Sequence, residues 1–89
     1  METMSDTQLI VLSQEGSRRA FGLVAQRQQG ALYRFLRRLL GDEEEARDAC
    51  QETLLKAFVN LSRLREPRHF KSWIHQIAIN LCRDRRRAA

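Results

Sequence analysis

Twice in this chain a helix stop is followed at once by a helix start: Gly16 then Ser17, and Gly41 then Asp42. Glycine ends a helix by taking up the left-handed backbone, and serine or aspartate opens the next by accepting a free backbone N–H. With no period-two alternation anywhere to suggest a strand, this punctuation predicts an all-α protein, a compact bundle of about four helices. A first short helix is expected over residues 6–14, with Ser5 or Asp6 as cap and Leu9, Ile10 and Leu12 as its apolar face. The second, capped by Ser17, should run to Leu40 with Phe21, Val24, Gln28, Leu32, Phe35, Leu36 and Leu39 at helical spacing, weakened in the middle by Gly30. Asp42 opens the third, expected to last until Leu61; the acidic run "DEEE" suits a helix start, where the dipole and free N–H groups favour negative charge. The stretch "SRLREPRH" is expected to be a loop, because Pro67 disfavours a helical residue before it, and a fourth helix should follow over residues 69–86.

Eighty-nine residues suffice for one domain with one modest core. At 43% hydrophobic and 30% charged, the composition is that of an ordinary globular chain. No apolar run approaches the roughly 18 residues of a membrane span, and "METMSDTQ" lacks the basic and apolar parts of a signal peptide, so the expected compartment is the cytoplasm. Cys50 and Cys82 read as small core residues; together with His69 and His75 they lack the close ligand pairs of a zinc site. There is no glycine-rich phosphate loop and no nucleophile elbow, and the carboxylate pair Asp48 and Glu52 sits on an exposed helix face, so no catalysis, metal, cofactor or small-molecule substrate is expected.

Charge is divided along the chain. Residues 1–62 hold eight Lys/Arg against nine Asp/Glu, a net −1, whereas residues 63–89 hold eight against two, a net +6. A local basic excess suits a polyanion, although a solvated basic tail reads the same on charge alone. Helical wheels at about 100° per residue sharpen this. On the third helix, Ala46, Cys50, Thr53, Leu54, Ala57, Phe58 and Leu61 form a core stripe, and Asp48, Gln51, Glu52, Leu55 and Val59 lie opposite. Two aliphatic residues one turn apart with an acidic and amide rim have the character of half a helix-to-helix interface, against the plain alternative of scattered exposed side chains. On the fourth, Phe70, Trp73, Ile74, Ile77, Leu81 and Cys82 form the buried stripe, while Ser72, His75, Gln76, Ile79, Asn80 and Arg83 present hydrogen-bonding groups without a carboxylate before Asp84. With Arg63, Arg65, Arg68 and His69 in the preceding loop, and Lys71, this makes a surface suited to phosphates and base edges. Phe70 and Trp73 read first as core, with edges that could border a pocket for an unstacked base.

These residues resemble a known family. "DACQETLLKAF" is similar to the Asp-apolar-apolar-Gln-Glu-Thr helix of bacterial sigma factors of the sigma-70 family, extracytoplasmic-function group, "FKSWIHQIAINLCRDRRR" resembles that group's following helix, and "AFGLVAQRQQGALYRFLRRLLGD" its preceding one, covering residues 17–87 in order. The resemblance implies the helical region 2 fold over residues 17–89 after a short N-terminal helix in 1–16, and two partners. Core RNA polymerase, through its β′ coiled coil, would meet Asp48, Gln51, Glu52, Leu55 and Val59. The minus-ten promoter element, melted and held as single-stranded non-template DNA, would meet Arg63, Arg65, Arg68, His69, Lys71, Ser72, Gln76, Asn80 and Arg83, with Arg85, Arg86 and Arg87 on the backbone. An anti-sigma factor is a further implied partner, though no residue identifies one. Pro67, Arg68 and His69 replace the usual Gly-Asp/Glu-Ala/Ser, and His75 replaces a common aromatic. The family's region 4 domain is absent from these residues, which implies a fragment of a longer sigma factor, the alternative being a lone domain. The alternatives are a helical protein-interaction adaptor with a nonspecific basic tail and a duplex-DNA binder of helix-turn-helix type; the loop containing Pro67 is long for the latter.

Overall fold

A computed structural model describes residues 1–88, and its regular elements are helical throughout that range. Helix α1 (Asp6–Gln14) opens with a reciprocal cap: Ser5 Oγ accepts from the Gln8 N–H at 3.1 Å, and the Ser5 N–H donates to Gln8 Oε1 at 2.8 Å. Helix α2 (Arg18–Leu40) starts where Ser17 Oγ accepts from the Ala20 N–H at 3.1 Å and stops at Gly41, whose φ of 73° is the left-handed conformation expected of a terminating glycine. Asp42 Oδ2 accepts from the Glu45 N–H at 2.8 Å and launches α3 (Glu43–Val59), with Glu43, Glu44 and Glu45 in the first turn. Helix α4 (Phe70–Ala88) completes the bundle.

The segment between α3 and α4 is not a plain loop. It holds two 3₁₀ turns, Leu61–Arg63 and Pro67–His69, so α3 ends two residues before the expected Leu61 and α4 begins one after His69. Proline leads the second turn, where its missing N–H would have had no partner, and Glu66 before it is extended at φ −116°, ψ 101°.

Helix α3 lies along α2 as its main neighbour, and α1 and α4 pack against the pair. Small residues allow the close approach: Ala46, Ala49, Cys50 and Ala57 of α3 are buried, as are Leu32 and Leu36 of α2, Leu9 and Ile10 of α1, and Ile74, Ala78 and Leu81 of α4. Phe21 meets Phe58 and Phe70 edge to face, with ring centroids 5.1 and 6.3 Å away. Three wheel assignments need correcting. Phe58 and Leu39, each one residue from the end of its helix, keep 39% and 38% of their surface exposed. Trp73, like Ile77, is half-buried at the edge of the core, packed at a tilt on Phe70. Gln28, placed on the apolar face, is half-buried because it donates to Asp6 Oδ2 at 2.6 Å, beside the Arg27 guanidinium that binds Asp6 Oδ1 and the carbonyls of Glu2 and Met4. This clasp fixes the start of α1 to α2.

Candidate functional site

Two exposed faces on adjoining helices stand out. On α3, Leu55 and Val59 are 62% and 69% exposed, large apolar side chains one turn apart that no other element covers among the described residues. Asp48, Gln51 and Glu52 lie around them, Gln51 at the edge of a polar hollow of about 540 Å³ shared with Gln29 and Tyr33 of α2.

The acids of this face are already engaged. Arg85, from the last turns of α4, donates through Nη2 to Asp48 Oδ2 at 2.8 Å and to Glu52 Oε1 at 3.0 Å. Its side chain is 31% exposed, whereas Asp48 is 75% and Glu52 41% exposed, so the carboxylates still face outward and each keeps one oxygen that Arg85 does not use. Partial burial works against the Arg85 charge, but the hydrogen bonds to Glu52 and Asp48 outweigh it and hold the guanidinium above its usual value. Arg85 is therefore turned toward α3 through Nη2, with its Nη1 and Nε hydrogens outside these bonds, which sets it apart from Arg86 and Arg87 in the arginine run. Nothing local in the sequence signals this, since the partners are 37 and 33 residues away.

The second face runs from the 3₁₀ turns along α4. Arg63, Arg65, Lys71 and Arg83 are exposed and form no ion pair among the described residues, and Arg68 makes only a long 3.8 Å contact with Glu66. Where the second turn meets α4, Arg68, His69, Lys71, Ser72 and His75 line an open hollow of about 380 Å³. Neither Phe70 nor Trp73 lines it, so the aromatic wall expected there is supplied by the histidines instead. Internal bonds define what these groups have free. Ser72 Oγ donates to the His69 carbonyl at 3.1 Å, leaving its lone pairs outward; His75 Nδ1 donates to the Lys71 carbonyl at 2.8 Å, leaving Nε2 outward. His75 also packs edge-on against Phe35, which fixes its ring. Further along, Gln76 Nε2 donates to Asn80 Oδ1 at 3.1 Å, so the two exposed amides form one pre-arranged donor and acceptor set.

Cys50 and Cys82 are free and buried, and burial pushes both thiols up, in Cys82 against the lowering influence of Arg85 and Arg86. Among the described residues no group of three His, Cys, Asp or Glu side chains could hold a metal ion, and no helix is long and apolar enough to cross a membrane.

Comparison with known proteins bears on the family. The Sigma-70 region 2 family model matches residues 24–89. The chain is 34% identical over 79 residues to the RNA polymerase sigma-H factor of Pseudomonas aeruginosa, covering 89% of this chain and 41% of that protein. It is 34% identical over 71 residues to the ECF RNA polymerase sigma factor SigW of Bacillus subtilis, covering 80% and 38%, and 34% identical over 85 residues to the ECF RNA polymerase sigma factor SigM of Mycobacterium tuberculosis, covering 96% and 43%. The chain thus spans about two-fifths of the length of these curated relatives. No solved structure matches it at the same level of significance. A family match over most of the residues, joined to an all-helical fold carrying the same motifs in order, means that this chain belongs to the Sigma-70 region 2 family, in the extracytoplasmic-function group of sigma factors.

Proposed function

We propose that this chain is the part of a transcription initiation factor that holds core RNA polymerase and opens the promoter minus-ten element, keeping it as single-stranded non-template DNA. The observation that carries the reading is the pairing of two unlike surfaces on one small bundle: an acid-rimmed apolar face on α3 and an acid-poor, hydrogen-bonding face on α4.

On α3, Leu55 and Val59 supply apolar area for a facing helix of the polymerase β′ coiled coil, and Asp48, Gln51 and Glu52 supply the polar rim that sets its register. On the other face, Arg63, Arg65, Arg68, Lys71 and Arg83 attract the DNA backbone. His69, Ser72 and the Gln76 and Asn80 amides then meet bases exposed by melting. A base leaving the stack enters the hollow between His69 and His75, offsetting part of an unpairing cost of a few kcal/mol. Polymerase supplies all the chemistry. The role belongs to the cytoplasm, and an anti-sigma factor would compete for the same faces.

Anisotropy of labelled single strands tests the DNA half. A minus-ten-like strand should bind more tightly than a scrambled one, Asn80→Ala should abolish that difference, and five backbone contacts should give a salt slope of about −3.5. Uniform binding that salt erases and Asn80→Ala leaves unchanged would reduce the arginines to a nonspecific tail and favour a protein-interaction adaptor. For the polymerase half, Leu55→Ser with Val59→Ser should weaken capture of core enzyme at least tenfold without changing strand binding.

A further inference from the structure

Helix α1 lies outside the matched family segment, which begins at residue 24, yet it is built into the bundle: Leu9 and Ile10 are fully buried, and the helix touches both 3₁₀ turns. Its last residue, Gln14, makes the most specific of these contacts. The carboxamide nitrogen donates to the Leu61 carbonyl at 3.1 Å and to the Leu64 carbonyl at 2.8 Å, 47 and 50 residues away in sequence. One side-chain NH₂ carries two hydrogens, so a single group serves both acceptors. These carbonyls bracket Ser62 and Arg63 and immediately precede Arg65. The first turn closes on itself through the Arg63 N–H to the Asn60 carbonyl at 2.9 Å and the Leu64 N–H to the Leu61 carbonyl at 3.1 Å, with Leu61 and Leu64 buried, but neither 3₁₀ turn has a side-chain cap, so it is Gln14 that ties these carbonyls to another helix by hydrogen bonds.

We propose that Gln14 is a positioning residue for base reading: it touches no DNA, and by fixing the main chain at Leu61 and Leu64 it holds Arg63, Arg65 and the turn leading to His69 in one geometry toward the strand. This rests on the function proposed above. It makes α1 part of the reading apparatus, not an appendage to it. Attraction to phosphates is long-ranged and survives a loose loop, whereas base contacts depend on donor and acceptor placement within a fraction of an ångström. Loss of Gln14 therefore acts on discrimination more than on affinity.

The test uses the 89-residue chain with Gln14→Met, which keeps length and removes the donors, and Gln14→Lys, which restores donors on a similar reach. Amide exchange is measured at Arg63, Leu64 and His69, whose N–H groups are hydrogen-bonded, and anisotropy with a minus-ten-like and a scrambled single strand. Gln14→Met should speed exchange at these amides roughly tenfold with α2 core amides unchanged. It should also cut discrimination at least threefold while scrambled-strand binding holds, and Gln14→Lys should recover both. Unchanged exchange in Gln14→Met overturns the proposal, as does faster exchange with full discrimination, or a loss that follows global unfolding and is not recovered by lysine. A wild-type chain that does not discriminate removes the functional reading and the role of Gln14 within it, and the exchange difference then shows that the clasp exists while the function assigned to it was wrong.

Discussion

Arg85→Ala should destabilise the bundle by about 1 kcal/mol, and the size follows from the geometry. An exposed ion pair contributes about 0.2–1 kcal/mol, and here one guanidinium nitrogen is shared between two carboxylates. The Asp48 arm belongs at the low end because that side chain is 75% exposed; the Glu52 arm, at 41%, contributes more. Removing the cation also uncovers a like-charge pair at i and i+4 on α3, adding roughly 0.2–0.5 kcal/mol. For a chain this short, 1 kcal/mol lowers Tm by about 4–8 °C. Thermal unfolding followed by far-UV circular dichroism measures it. In about 1 M salt, where the screening length falls to roughly 3 Å, most of the difference should vanish. In an Asp48→Asn, Glu52→Gln background, Arg85→Ala should cost little. An unchanged Tm at low salt, or an equal loss in that neutral background, would refute the clasp. The same variant separates Arg85 from the DNA surface: Arg85→Ala should leave the salt slope of strand binding alone, and Arg83→Ala should reduce its magnitude by about 0.7.

Thr53 Oγ1 is buried and has no hydrogen-bond partner among the described residues, so Thr53→Val should leave stability unchanged or raise it by about 1 kcal/mol in urea unfolding; a loss would mean that the hydroxyl has a partner after all. Ile74→Ala, at a fully buried position, should cost about 2–5 kcal/mol by the same assay, whereas Leu55→Ala should stay within about 0.5 kcal/mol and show its effect only in polymerase capture. Because burial raises both thiols, the folded state holds their protons more tightly than the unfolded one. That contribution is complete below the ordinary thiol range and is lost as pH climbs through the raised folded values, so stability should fall on the alkaline side, and alkylation near about pH 8 should be slow and follow unfolding.

Helix boundaries were legible because they rest on local chemistry. Ser5, Ser17, Gly41 and Asp42 each act within three or four residues, and all four do what their residue types dictate. Periodicity likewise placed Asp48, Gln51, Glu52, Leu55 and Val59 on one face. It failed where burial depends on what lies opposite. Leu39 and Phe58 have the correct phase but stay over a third exposed near their helix ends, and Ala49, a small residue the wheel passed over, is fully buried. A three-residue 3₁₀ turn carries no period at all, so the segment after α3 read as loop. The contacts that matter most for the candidate site were the least visible. Arg85 with Asp48 and Glu52, and Gln14 with Leu61 and Leu64, join residues more than 30 positions apart through side chains whose local context is an arginine run and a helix end.

Those two contacts change how the charge division should be understood. The +6 of residues 63–89 is not all available to a polyanion, because Arg85 is paired with Asp48 and Glu52 of α3, which lie outside that segment. Arg63, Arg65, Lys71, Arg83, Arg86 and Arg87 face outward and form no ion pair among the described residues, Arg63 and Arg65 on the segment that Gln14 helps to hold. The acidic face on α3 and the basic face on α4 belong to helices packed against each other. Arg85 is where the two charge systems come within 3.0 Å, and it joins them through the body of α4. In the proposed complex a polymerase cation at the remaining oxygen of Asp48, or in competition with Lys56 at that of Glu52, would thus act on the helix that carries Gln76 and Asn80, giving the two faces a mechanical connection.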